Sequence, residues 1–285
     1  MVYGAFFLIG LISSLAANGN LVAASQGPLL YLLNATSGLT VAQFDLGENV
    51  TCVTSIPGGF LVSTSAENLT HLVLVTNNTY YPIEDIVLGN ESYPSVTGTS
   101  LDCAYYNGTA VVTVRDEEGL KAYFFKLNGT TATLVKEVNA PAPEVEGGEA
   151  LLFFGDEGLY LYEGNAVRMI TNVTVRDADY TGGIVFYVHN GTLNAFSVTG
   201  NVTVFVWTPE KGRACAVLAL SPDKAIVGLR GTNMGLVLVE NGATKVAVGV
   251  PEVYDVARGE GYVAAATAGG LGEGVATVPL EWFLK

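Results

Sequence analysis

Charge is scarce in this chain. Only 14% of its 285 residues are Asp, Glu, Lys or Arg, and 13 basic residues stand against 27 acidic ones, a formal charge of −14. About a quarter charged is usual for a soluble domain. Nucleic acids and anionic membrane surfaces are gripped by clustered Lys and Arg, and no such cluster occurs along the sequence. Glutamine appears only as Gln26 and Gln43, and Met and Cys number three each. Low Gln, Met and Cys follow one thermophile trend. Plentiful Asn and the lack of Lys/Glu networks oppose it. A hot-environment archaeal origin is the resulting expectation.

Cys52, Cys103 and Cys215 are too few and odd in number for a closed disulfide framework, and no CxxC or Cys/His spacing marks zinc. One disulfide beside one free thiol is open. Three buried thiols are the expectation, because a chain this long buries a core without staples. His71 and His189 are the two histidines. No GxSxG motif accompanies them, so both read as surface or structural residues. The Gly-rich stretch at 268–274, AGGLGEG, lacks the Lys-Ser/Thr of a phosphate loop and reads as a hairpin. No amphipathic helix is convincing. No catalytic, metal or cofactor motif emerges, so none is expected.

Asn is abundant where charge is not. Ten Asn-x-Ser/Thr triplets begin at Asn34, Asn49, Asn68, Asn77, Asn90, Asn107, Asn128, Asn172, Asn190 and Asn201, none with a central Pro. With 18 Asn in the chain, chance gives about two such acceptor triplets, so the excess is roughly fourfold and points to N-linked glycans on an exported surface. Most of these triplets fall at or beside turn signals. Asn49 and Asn172 precede strands, and Asn90 lies in a long linker. None follows Asn201, although Asn233 and Asn241 are present.

Residues 3–16, YGAFFLIGLISSLA, fit two readings. One is the apolar part of an export signal ending at Ser14-Leu15-Ala16. The other is a mature β-strand, which is preferred because no Lys or Arg precedes the run. The segment is shorter than the ~20 residues of a membrane span.

A strand–turn–strand unit recurs about every 40 residues. Its clearest copies are VTCVTSIPGGFLVST, LDCAYYNGTAVVTV and RACAVLALSPDKAIVGL; weaker ones are LISSLAANGNLVAAS, EVEGGEALLFFG, VRDADYTGGIVFYV and VYDVARGEGYVAAAT. Two further strands usually follow each copy. The joins Asn77-Asn78, Asn128-Gly129 and Asn241-Gly242 suit tight hairpins, since Asn and Gly tolerate positive φ.

Over its whole length the sequence therefore resembles β-propeller repeat proteins, by architecture and without a named subfamily. Trp-Asp endings, kelch motifs and quinoprotein motifs are absent. The resemblance implies one all-β domain over 1–285, with seven four-stranded blades closed by the N- and C-terminal strands. The blades fall roughly at 8–48, 49–98, 99–141, 142–172, 173–210, 211–250 and 251–285, with 1–7 completing the last. GVATV and LEWFLK are the final strand candidates. A pair of β-sandwiches is the competing fold.

In the repeat alignment Cys52, Cys103 and Cys215 share one column of the first strand, with Asp177 and Asp255 near it. Channel-lining thiols and carboxylates there would suit a metal; small buried residues at converging strands suit the column better. Asp116-Glu117-Glu118, Glu144 to Glu149, and Asp177 with Asp179 read as solvated turns, since none has calcium-loop spacing. Tyr80-Tyr81, Tyr105-Tyr106 and Tyr160 with Tyr162 suit sugar stacking, an interface, or packing between blades.

These features lead to a non-enzymatic, N-glycosylated extracellular or cell-surface protein. It would be a structural, adhesion or assembly module, and within that class a subunit of an extracellular filament or surface layer. Its partners would be copies of itself or other surface proteins, meeting it on the triplet-free blades six and seven. A surface receptor or accessory subunit binding a solute or partner on a propeller face is the alternative. An exported propeller hydrolase is the lesser one.

Overall fold

The computed structural model describes residues 5–76, 79–269 and 273–284. Seven sheets, antiparallel within each blade, follow one another along the chain and stack around a central channel. Blade 1 spans 14–45, blade 2 spans 49–82, blade 3 spans 99–139, blade 4 spans 144–171, blade 5 spans 177–207 and blade 6 spans 213–248. Each runs from an inner strand at the channel to an outer strand at the rim. Blade 7 takes three strands from 252–279 and its outer strand, Ala5–Leu8, from the opposite end of the chain. Ala5 pairs with Thr277 and Leu8 with Gly274. The N-terminal apolar run is thus a strand that closes the ring and covers an edge otherwise open to pairing.

The alternation of side chains explains the stacking. Second strands are sandwiched by a blade on each face and are buried along most of their length, as at Leu151–Gly155 and Tyr262–Thr267. Outer strands have one face in solvent, as at Leu39–Asp45. In the second strand of blade 5, Val185 and Tyr187 pack toward blade 4, while Phe186 and Val188 pack toward blade 6. Among the described residues, seven apolar clusters fill the seven interfaces. The seam between blades 7 and 1 also carries long-range hydrogen bonds. Ile12 N–H donates to Tyr254 Oη at 2.8 Å, and Tyr262 Oη–H donates to the Leu21 carbonyl at 2.9 Å.

Two features depart from a uniform four-stranded blade. The linker carrying Asn90 is a hairpin, Asp85–Leu88 with Glu91–Tyr93, whose first strand runs parallel to the outer strand of blade 3 and makes that sheet six-stranded. Burial of Ile83 and Ile86 against Ala132 draws it there. Val96–Thr97 then returns to blade 2. The second departure is LEWFLK, which is no strand. Glu281–Leu284 form a single helical turn. Phe283 N–H donates to the Leu280 carbonyl, and the Phe283 ring is buried in the interface of blades 6 and 7.

Candidate functional site at the central channel

The inner strands expose one edge to the channel, so their backbone N–H groups need partners other than a ladder. A repeated local geometry supplies them. The inner strands of blades 2, 3, 6 and 7 carry a β-bulge at Thr51, Leu101, Cys215 and Tyr254. The residues after it are Cys52, Asp102, Ala216 and Asp255. Blades 1 and 5 have the same arrangement: Ser13 and Ser14 both face Ser25, and Arg176 and Asp177 both face Val188.

From this column the side chain reaches forward to the next blade. Ser14 Oγ accepts from Val53 N–H at 2.9 Å. Asp102 Oδ2 accepts from Val145 N–H at 2.8 Å. Asp177 Oδ2 accepts from Val217 N–H at 2.6 Å, and Asp179, two residues on, accepts from Ala219 N–H at 2.7 Å. The second oxygen of each Asp accepts from the following residue of its own strand. Between blades 2 and 3 the same position holds a covalent bond, because Cys52 and Cys103 form a disulfide. Cys103 occupies the place that Val53, Val145 and Val217 occupy in their blades. One position thus joins successive blades by a hydroxyl, a disulfide or a carboxylate.

The sequence expectation of three thiols is corrected accordingly, and Cys215 is the free one, buried. The three Cys do not share a column either. Cys52 follows its bulge, Cys103 sits one residue later, and Cys215 is the bulged residue itself. A bulge shifts the alignment by one, which a sequence register cannot display. Asp177 and Asp255 do share the column, together with Asp102.

The channel opens into a cavity of about 880 Å³. Burial pushes the Asp255 carboxyl up to about 7 and the Asp179 carboxyl up to about 6. Burial and then neighbouring charge hold two others well above the usual carboxylate range: Glu144 acts on Asp102, and Asp255 on Asp177. Among the described residues no three His, Cys, Asp or Glu side chains converge as a metal-binding group. Tyr105, Tyr180 and Tyr254 also line the cavity. Sequence reasoning found the first but missed the other two and Asp102. The available signal was adjacency, in Cys103-Asp102, Asp179-Tyr180 and Tyr254-Asp255.

The remaining candidates lie away from the channel. His71 Nδ1 is 2.9 Å from Glu48 Oε2, and His189 Nδ1 is 2.7 Å from the Thr174 carbonyl. Asp116 binds the turn N–H groups of Glu118 and Gly119, and Lys121 bridges Asp116, Glu118 and Glu137. Tyr162 accepts from Lys136 Nζ and packs against Phe124 and Phe153. Tyr80 packs edge-on to Phe44 at the rim.

Eight acceptor asparagines, Asn49, Asn68, Asn90, Asn107, Asn128, Asn172, Asn190 and Asn201, are exposed; Asn34 is half-buried and accepts from Thr36 and Ser37 N–H. Asn68, Asn107, Asn190 and Asn201 have positive φ, the tight-turn conformation that Asn tolerates. Asn77, and residues 270–272 of the Gly-rich hairpin, lie outside the described residues. No described helix is long and apolar enough to cross a membrane.

No family model and no curated protein matches the chain. Solved structures do. It is similar to the WD40 β-propeller domain of Doa1 at 13% identity, with 96% of this chain and 95% of that one covered and a TM-score of 0.68. It is similar to the RRP9 WD40 repeats at 8% identity, 98% and 99% coverage and a TM-score of 0.71. A chain of the mitotic checkpoint complex matches at 10% identity, 98% and 94% coverage and a TM-score of 0.70. At these identities the likeness concerns the fold. The chain is a seven-bladed β-propeller with WD40-repeat propellers among its structural neighbours.

Proposed function

We propose that this protein is an exported, non-enzymatic module that binds partner proteins at the cell surface, in adhesion or in assembly with copies of itself. The observation that carries the reading is the use of the channel's polar groups. Ser14, Asp102, Asp177 and Asp179 hold neighbouring blades through backbone N–H groups. Side chains engaged in this way make a stiff ring, and recognition passes to the turns on its two faces. The Cys52–Cys103 disulfide favours an oxidising compartment. Acceptor asparagines at exposed turns fit N-glycosylation after export. Blades 6 and 7 carry no acceptor triplet, so partner contacts belong there. The extracellular filament or surface layer is the most specific form of this reading.

The test is intact mass and glycopeptide mapping of the protein purified from its own cells, with microscopy of its native assembly. Glycans on blades 1–5 and an assembly meeting through blades 6 and 7 are expected. A sugar-free cytosolic monomer would overturn the reading, and a glycan between residues 205 and 285 counts against the bare sector.

One observation favours a second reading, a receptor for a solute. The cavity of about 880 Å³, walled by Tyr105, Tyr180, Tyr254 and carboxylates, is large enough for a small molecule. Solute-dependent thermal stabilisation that is lost in Tyr180→Ala and Tyr254→Ala would favour it over the assembly module.

A further inference from the structure

The chain has six arginines against its net charge of −14, and three of them gather at one rim of the channel. Arg213 and Arg230 face each other across the first two strands of blade 6. Like charges directly opposite in an antiparallel pair are destabilising. Arg176, on the inner strand of blade 5, lines the cavity. Arg213's aliphatic stem lies over Gly191 of blade 5, and Arg176, Cys215 and Tyr254 line the same cavity; burial raises the Cys215 thiol, and the three guanidinium groups near it oppose that rise. Cys215 and Tyr254 are the bulged residues of adjacent blades, so these cations form an arc along a single end of the channel. Exposed Lys211 lies in the loop just before the strand that Arg213 opens.

These charges are poorly compensated. Among the described residues Arg176 and Arg213 make no side-chain hydrogen bond or ion pair. Arg230 Nε lies 3.9 Å from Glu252 Oε2, the outer limit of a contact. Asp177, next to Arg176, has both oxygens engaged by Ala178 and Val217 N–H. Several cations elsewhere are matched: Arg168 donates to Val198 O and Asn201, and Lys224 and Lys245 meet Glu240. The Asn190 turn borders the arc, since Gly191 O accepts from Ala214 N–H at 3.0 Å.

We propose that Arg176, Arg213 and Arg230 form an oxyanion-binding site at the mouth of the channel, for a carboxylate or sulfate. A planar guanidinium offers paired N–H donors that match such a group, and a bound anion converts the Arg213–Arg230 repulsion into shared attraction. The site takes either a free oxyanion or an acidic protein segment. Acidic ligands meet repulsion over most of this surface, so the arc would direct them to one place. Such a site would operate in any compartment.

The experiment titrates the full chain with sodium sulfate and, separately, with a fluorescent hexaglutamate peptide at low ionic strength. Arg176→Gln, Arg213→Gln and Arg230→Gln are compared with Arg168→Gln as control. Loss of one charge-assisted contact weakens binding roughly tenfold or more, while the control binds as wild type. Ligand-free Arg213→Gln melts no lower than wild type, because a repulsion has been removed, which separates lost binding from lost folding. Sulfate binding without peptide binding supports a free-oxyanion site, and tighter peptide binding supports an acidic segment. Absence of both, or an equal loss in Arg168→Gln, overturns the proposal.

Discussion

Cys52 and Cys103 allow the joining position between blades to be tested as a chemical series. The disulfide closes a loop with a sequence separation of 51. The chain-entropy relation for a loop of that size gives about 4 kcal/mol of stabilisation through the unfolded state. Cys52→Ala with Cys103→Val removes it, and melting falls by about 8–16 °C at about 2–4 °C per kcal/mol. Val is chosen because it is the residue of blades 2, 4 and 6 whose N–H donates the bond, at 53, 145 and 217. A second variant, Cys52→Ser with Cys103→Val, places a hydroxyl where Ser14 places one against Val53. Both variants also carry Asp102→Ala, because the N–H of residue 103 otherwise stays bound to Asp102 Oδ1 at 2.8 Å; one buried neutral hydrogen bond contributes about 1 kcal/mol, so the Ser variant is more stable than the Ala variant by about that amount. Any misfit of the introduced valine is common to both variants and cancels. Urea denaturation of the two variants under identical conditions measures the difference. Equal midpoints, or a more stable Ala variant, would refute the view that one position joins successive blades interchangeably.

Two further outcomes follow from the channel and the seam. The Asp255 carboxyl rises from 3.8 to about 7 on folding, so the folded state retains a proton between those values and stability falls as pH rises through that window. At 1.36 kcal/mol per unit this single group accounts for up to about 4 kcal/mol; Asp255→Asn gains on wild type at pH 8 but not at pH 4, and parallel denaturation profiles at both would contradict the assignment. Removing residues 1–8 uncovers the Gly274–Pro279 strand, and concentration-dependent oligomers by size-exclusion chromatography are expected. A monomer as stable as the full chain would show that the closing strand contributes nothing.

The fold was legible because the strand–turn–strand unit is written in local chemistry. Asn241-Gly242 has the positive φ its sequence announced, while at Asn128-Gly129 only the glycine does, and runs such as LVLVE became buried third strands. The channel was less legible. Its organising feature is the bulge, at Thr51, Leu101, Cys215 and Tyr254, and a bulge changes register without changing composition. An alignment that placed the three Cys in one column hid the contact that makes two of them a pair. The Arg213–Arg230 opposition was hidden for a related reason: 17 positions of chain separate residues that only strand pairing brings together.

The closing strand has a temporal consequence. Ala5–Leu8 emerge in synthesis long before their partners, Gly274–Thr277. At about 5–20 residues per second, the roughly 265 intervening residues take roughly 13–50 s to make. Throughout that interval the apolar N-terminal segment has no place in the structure, and blade 1 has no seventh blade to close against. The ring cannot complete itself as it is translated, so the chain depends for its first minute on whatever keeps an unfinished propeller from meeting another.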